Sequence, residues 1–214
     1  MGKQAQIDYY EGLLAQHGEN YLALDWNSTE SQRQRYKILK EIFLYGKKSV
    51  NLSVLDVGCG FADLYSYFKA DGILAKHRIS YTGYDIAPRI VEVARKKHPE
   101  AKIELKDIQV EKHLPKFDYV FCSGIFNIRT LEVEDHLDLV KDMLARMYDL
   151  SSCGVAINFL SEGSLPISDP DGLNSDRYFF FEPEKIMTFA RSICSRFILR
   201  HDYHPSDFAV YLLK

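Results

Sequence analysis

Asp56, Gly58, Gly60 and Ala62 stand at alternate positions, D-x-G-x-G-x-A, at the end of the apolar run Val54, Leu55 and Val57. Glycines after an acid suit a tight turn that lets a ligand approach the backbone closely, because glycine adopts left-handed backbone and carries no side chain. A second acid, Asp85, lies 25 residues beyond Gly60, and a third, Asp107, follows it. A carboxylate about 20 residues past such a turn can accept both ribose hydroxyl hydrogens. The chemistry suggested is therefore the holding of a nucleoside. A dinucleotide fits poorly: the third glycine of G-x-G-x-x-G makes room for a pyrophosphate, and here that position is Asp63. Its carboxylate at a helix N-terminus would repel phosphate.

These residues need strand ends to carry them. Val54, Leu55 and Val57 suit a buried parallel strand, and Leu64, Tyr65 and Phe68 in Ala62–Lys69 have helical spacing. Tyr81–Asp85 reads as the next strand. Pro88 then sits at a first helical position, with Ile90, Val91, Val93 and Ala94 on an apolar face before Lys96, Lys97 and Pro99. Ile103–Ile108 alternates as a third strand, and Phe117–Ser123 is a fourth that runs into Gly124, Ile125, Phe126 and Asn127. Glu134–Leu150 is a helix with Leu137, Val140, Met143, Leu144 and Met147 on one face, and Gly154–Leu160 is a fifth strand. Ser161–Asp176 reads as a loop, and the aromatic run Arg177–Phe181 as a short strand or a lid edge. After a helix at Pro183–Ile193, Arg196–Tyr203 and Asp207–Leu213 form a closing hairpin around His204, Pro205 and Ser206. Ahead of the sheet, Asn27 and Glu30 have capping-box spacing and open a helix to about Tyr45. In it Ser31 and Arg35 share a face, with Gln32 beside them. Tyr9, Tyr10 and Trp26 are lid aromatics or packing residues.

Composition sets bounds. The 214 residues suit one globular unit, 51–214, behind a helical cap or lid at 1–50. The formal net charge is −3 and no basic stripe is visible, which argues against a nucleic-acid substrate. No stretch is long and apolar enough to span a membrane, and the first residues carry neither a signal-peptide run nor the Ser or Thr that myristoylation needs at Gln6. Cys59, Cys122, Cys153 and Cys194 form no C-x-x-C pair and the seven histidines no H-E-x-x-H, so no metal site is expected and a reducing, cytoplasmic setting is. Oligomeric state, monomer or homodimer, stays open.

The pattern from Asp56 to Ala62 resembles motif I of the class I S-adenosylmethionine (SAM) dependent methyltransferases, in which alanine often replaces the third glycine. The longer pattern, from W-N-x-x-E-S-Q-x-x-R-Y at Trp26 to H-D-Y-x-x-x-D-F-A-V-Y at His201, is similar to a bacterial small-molecule-type branch of that family. The superfamily resemblance covers roughly residues 28–214. It implies an α/β, Rossmann-like, seven-stranded, mostly parallel sheet with an antiparallel C-terminal hairpin, helices on both faces and an N-terminal helical lid. It implies SAM as cofactor and S-adenosylhomocysteine (SAH) as product. The cofactor would be held by Asp56, Gly58, Cys59 and Gly60 at the turn, Asp85 and Ile86 at the ribose, Asp107 and Ile108 at adenine, and Ser123 and Gly124 after the fourth strand. Gln32 and Arg35 would lie over it, Arg35 clamping the methionine carboxylate. Relatives that methylate exocyclic base nitrogens carry a D/N-P-P-Y/F motif after the fourth strand, where this chain has S-G-I-F-N. The resemblance thus points to methyl transfer to a small molecule by direct displacement, whose main demands are alignment and exclusion of water. Acceptor-side candidates are Asn127, Asn158, Tyr178, His201, Tyr203 and His204, of which the asparagines can orient but not deprotonate. Two other readings keep the fold: cyclisation or elimination of SAM's own aminobutyrate chain, releasing methylthioadenosine, and a non-catalytic SAM-binding or partner-activated subunit.

Overall fold

A computed structural model describes residues 2–46, 48–129, 131, 133–164 and 177–214. Seven strands form one sheet: β1 (Ser53–Val57), β2 (Ser80–Asp85), β3 (Lys102–Leu105), β4 (Phe117–Cys122), β5 (Ser151–Leu160), β6 (Arg196–Arg200) and β7 (Asp207–Leu213). Their order is β3-β2-β1-β4-β5-β7-β6. The first five strands run parallel, and β7 pairs antiparallel with both β5 and β6. The order reverses at β1, where β2 leaves on one side and β4 on the other. In open α/β sheets a ligand crevice forms at such a switch point.

Both faces of the sheet are covered, and the strands alternate accordingly. Leu55 and Val57, Val120 and Cys122, and Val155, Ile157 and Phe159 pack on one face against Val140, Met143, Leu144 and Met147 of α6 (Val133–Leu150) and Ile186 and Ala190 of α7 (Pro183–Ile193). Val54, Tyr119, Phe121 and Tyr211 pack on the other. They meet Tyr36 and Leu39 of α2 (Thr29–Leu39), Leu64 and Phe68 of α3 (Asp63–Ala70), and Val91 and Ala94 of α5 (Pro88–Lys97).

Several boundaries differ from the sequence reading. Ser28, not Asn27, caps α2, because its Oγ accepts from the Ser31 N–H at 3.0 Å and Glu30 is left one position too early for the capping box. The helix tightens into a 3-10 turn at Lys40–Leu44 rather than running on to Tyr45. β3 stops at Leu105 and β6 at Arg200, which puts Asp107, Ile108, His201 and Tyr203 in turns. A short α4 (Ile73–His77) precedes β2. The aromatic run joins the sheet by two single bridges, Ile128 to Tyr178 and Ser161 to Phe181. Most of the loop expected at 161–176 lies outside the described residues.

At the chain's start, α1 (Lys3–His17) buries only Leu14 fully, with Ile7 and Tyr10 packed beside Phe61, Ala87, Ile90 and Val93. Polar contacts do the rest: Lys3 pairs with Asp107 at 2.9 Å, Gln6 donates to the Ile125 carbonyl at 3.1 Å, and Glu11 accepts from the Arg89 N–H at 3.0 Å.

Candidate functional site

A cavity of about 740 Å³ opens at the carboxyl ends of the parallel strands. Its floor is the turn after β1. Gly58 (φ 68°), Gly60 (φ 55°) and Ala62 (φ 61°) all take left-handed backbone, so the alternation in the sequence is an alternation of backbone hand. The Gly58 and Cys59 N–H groups donate to the Tyr84 carbonyl at 2.8 and 3.0 Å, tying the turn to β2. A Cβ on Gly58 would stand 2.1 Å from Ile125 Cγ2, so the position has no room for one.

Asp85 closes this floor. Its carboxylate accepts from the Gly60 N–H at 2.9 Å and the Ala87 N–H at 3.0 Å. Burial raises its pKa, and those backbone donors pull it partly back. Asp107 accepts from the Gln109 N–H at 2.9 Å and pairs with Lys3, which brings α1 across the cavity. Ile86, Ile108, Ser123 and Gly124 complete this end. Cys59 lines the wall with its thiol pushed well above its ordinary pKa, chiefly by burial and then by Asp85 and Asp56.

Three expected cofactor residues are placed differently. Asp56 points beneath the turn, outside the cavity, where Tyr81 donates to it at 2.6 Å; burial pushes its pKa up to about 7. Gln32 is also absent from the wall and donates to Asp63 Oδ2 at 3.0 Å, bracing α2 on α3. Arg35 does line the cavity, yet its Nε pairs with Asp207 Oδ2 at 2.8 Å and its Nη1 with Ser31. A fork already engaged in this way cannot clamp a carboxylate through both arms.

On the acceptor side, Asn127, Tyr178 and His204 line the cavity, whereas Asn158, His201 and Tyr203 do not. Asn158 donates to Asp207 Oδ2 at 2.9 Å, and the Tyr203 hydroxyl donates to Asp207 Oδ1. Together with Arg35 they satisfy a fully buried carboxylate that fastens α2 to β7. His201 packs with its ring tilted against Phe208, centroids 5.7 Å apart, and does not line the cavity. His204 accepts from the Ser206 N–H at Nδ1, 3.1 Å away, so its neutral ring carries the proton on Nε2. In that state it donates and is no base.

Residues that sequence reasoning did not single out for the site also line it: Lys3, Gln6, Asp25, His136 and Phe180. Their signal was weak, because none lies in a motif and each arrives by long-range packing. Ser123 Oγ and Asn127 Oδ1, both on the cavity wall, are buried with no hydrogen-bond partner. Buried polar atoms are normally satisfied, so a ligand with hydrogen-bond donors fits here.

Residues 55–154 match a family model described as a methyltransferase domain. The chain is 28% identical over 167 residues, 76% of its length and 93% of the relative's, to a putative methyltransferase of Mycobacterium tuberculosis. Among solved structures it resembles a plantazolicin methyltransferase in complex with a triazolic desmethylPZN analog and SAH (TM-score 0.68, 14% identity, 99% of this chain and 96% of that one). It also resembles the magnesium protoporphyrin IX methyltransferase of Synechocystis with bound SAH (TM-score 0.63, 14% identity, 99% and 95%).

Proposed function

Because the chain carries a methyltransferase domain on the class I Rossmann-like fold, we propose that it transfers a methyl group from SAM to a small-molecule acceptor. The observation that carries this reading is the meeting of three features on one wall: the glycine turn, Asp85 at the end of β2 and Asp107 after β3. The solved methyltransferases with SAH that this chain resembles support the cofactor. The open hydrogen-bonding capacity of Ser123 and Asn127 supports it independently.

Bound SAM supplies an electrophilic methyl group on a sulfonium. Around it, Asp85 would accept hydrogen bonds from the ribose hydroxyls, Asp107 would accept one from the adenine amino group, and Ile86 and Ile108 would flank the ring. Ser123 and Gly124 would meet the methionine portion, and Arg35 would contribute a fixed positive charge rather than a clamp. Residues 1–50 act as the cap that excludes water, with α1 spanning the opening. Asn127 orients the acceptor, and His204 donates from Nε2 to an acceptor oxygen or nitrogen. Trp26, Tyr178 and Phe180 on the wall favour a partly apolar small molecule. The likeness to a plantazolicin methyltransferase with a triazolic desmethylPZN analog also supports a small molecule. No helix among the described residues is long and apolar enough to cross a membrane, and action in the cytoplasm is part of the proposal.

Incubation with SAM in the presence and absence of pooled small metabolites tests the reading. SAH appearing only with the pool is expected. Methylthioadenosine from SAM alone would instead indicate reaction within the cofactor's own chain.

A further inference from the structure

Asp25 is not part of any motif, yet it carries an unusual backbone. It sits at φ 59°, the left-handed region, at the end of the 3-10 turn Tyr21–Leu24. A residue other than glycine rests there most easily when its side chain is held, and a short polar side chain such as aspartate can be held by hydrogen bonds. Here the surroundings are three side chains from two distant segments. Tyr9 of α1 donates to Asp25 Oδ2 at 3.0 Å. Arg177 forms an ion pair with Oδ1 and donates to the Tyr9 hydroxyl from Nε at 3.0 Å and from Nη2 at 2.7 Å. The guanidinium lies 5.0 Å from the Tyr178 ring and 5.8 Å from the Tyr9 ring, and the Tyr178 hydroxyl sits close enough to the same carboxylate that, after burial, Asp25 raises its pKa. Although Arg177 is 45% exposed, the Asp25 side chain is only 12% exposed, so the junction faces inward.

Its neighbour is Trp26, the one tryptophan of the chain. That ring lines the cavity 5.3 Å from the Arg35 guanidinium and lies 3.4 Å from where a Gly124 Cβ would stand. Asp25 thus adjoins Trp26 in the chain and holds the arginine on which Tyr178 packs, and both aromatics line the cavity.

We propose that Asp25 is a positioning residue: by joining Tyr9 to Arg177, on which Tyr178 packs, it clasps α1 to the segment after β5 and fixes Trp26 and Tyr178 around the methyl acceptor. This rests on the methyltransferase reading for what the chamber encloses, but the clasp itself is tested without turnover. The measurement is acrylamide quenching of Trp26 fluorescence in the whole protein, for wild type, Asp25→Asn and Arg177→Met, alongside calorimetric titration with SAH. The quenching slope is expected to rise about twofold or more in both variants, with SAH affinity within about threefold of wild type. Unchanged slopes in folded variants overturn the proposal, as does SAH affinity that falls in step with quenching. Asp25→Gly, which relieves the backbone while removing the carboxylate, gives the same answer if Asp25→Asn does not fold. Failure of wild type to bind SAH would defeat the cofactor reading instead, and the quenching slopes would still judge the clasp.

Discussion

At the β1–β2–β3 end of the cavity the wall is largely backbone, a turn of alternating left-handed residues whose N–H groups are bonded to the Tyr84 carbonyl and to Asp85. At the other end the wall is side chains from residues 25, 26, 127, 178 and 204, which four separate segments deliver. The first end is built within about fifty residues of chain and depends on where glycine is allowed. The second depends on long-range pairs that join residues more than 150 apart, such as buried Arg35 with Asp207 and half-exposed Arg177 with Asp25. A shared cofactor favours the first kind of construction, because backbone geometry survives change in side chains. An acceptor that differs between enzymes favours the second, where single substitutions reshape the wall.

The largest effect expected from this contrast is at the far end. Asp207→Ala strands the Arg35 charge and unties Asn158 and Tyr203, at a cost of about 3–5 kcal/mol in denaturant unfolding. A loss under about 1 kcal/mol would show that the long-range network is incidental. At the near end, Gly58→Ala drives a Cβ into Ile125 at a left-handed position and costs about 2–3 kcal/mol. Gly72 (φ 74°) meets nothing within 4 Å, so its alanine variant, at about 1 kcal/mol, isolates the backbone share.

Beneath the turn the contrast acquires a pH dependence. Burial lifts Asp56 to about 7, against about 3.9 for an unfolded aspartate. Between those values the folded chain keeps a proton that the unfolded chain has released. Stability therefore falls as pH rises from about 4 to about 7, by up to about 1.4 kcal/mol per pH unit. Asp56→Asn should flatten that slope in unfolding curves taken at several pH values, leaving the smaller part from Asp85, which burial shifts the same way. The smallest effect is at Lys3, whose partly exposed pair with Asp107 is worth under about 1 kcal/mol. Lys3→Met should change SAH affinity less than about fivefold, and a larger change would make α1 part of the adenine site.

What the sequence made legible follows the same division. The strands, their order and the acids after β2 and β3 were readable because period-two burial and left-handed glycines write themselves into neighbouring residues. Arg35 was readable as a residue near the cofactor, but its partner Asp207 lies 172 positions away and no local spacing announces it. His201 and His204 differ by three positions. Which one faces the cavity was decided by β6 ending at Arg200, a boundary that periodicity does not mark. Asp25 gave no signal at all, since its left-handed backbone is held by side chains that converge only in the fold.

Calorimetric titration of SAH into wild type and Asp85→Ala tests the central claim most directly, because Asp85 is the side chain assigned to the ribose. The account predicts one site per chain in wild type and an affinity about 100-fold weaker in the variant, as befits losing two charge-assisted hydrogen bonds. Absence of binding to wild type, or equal affinity in the two proteins, would contradict it.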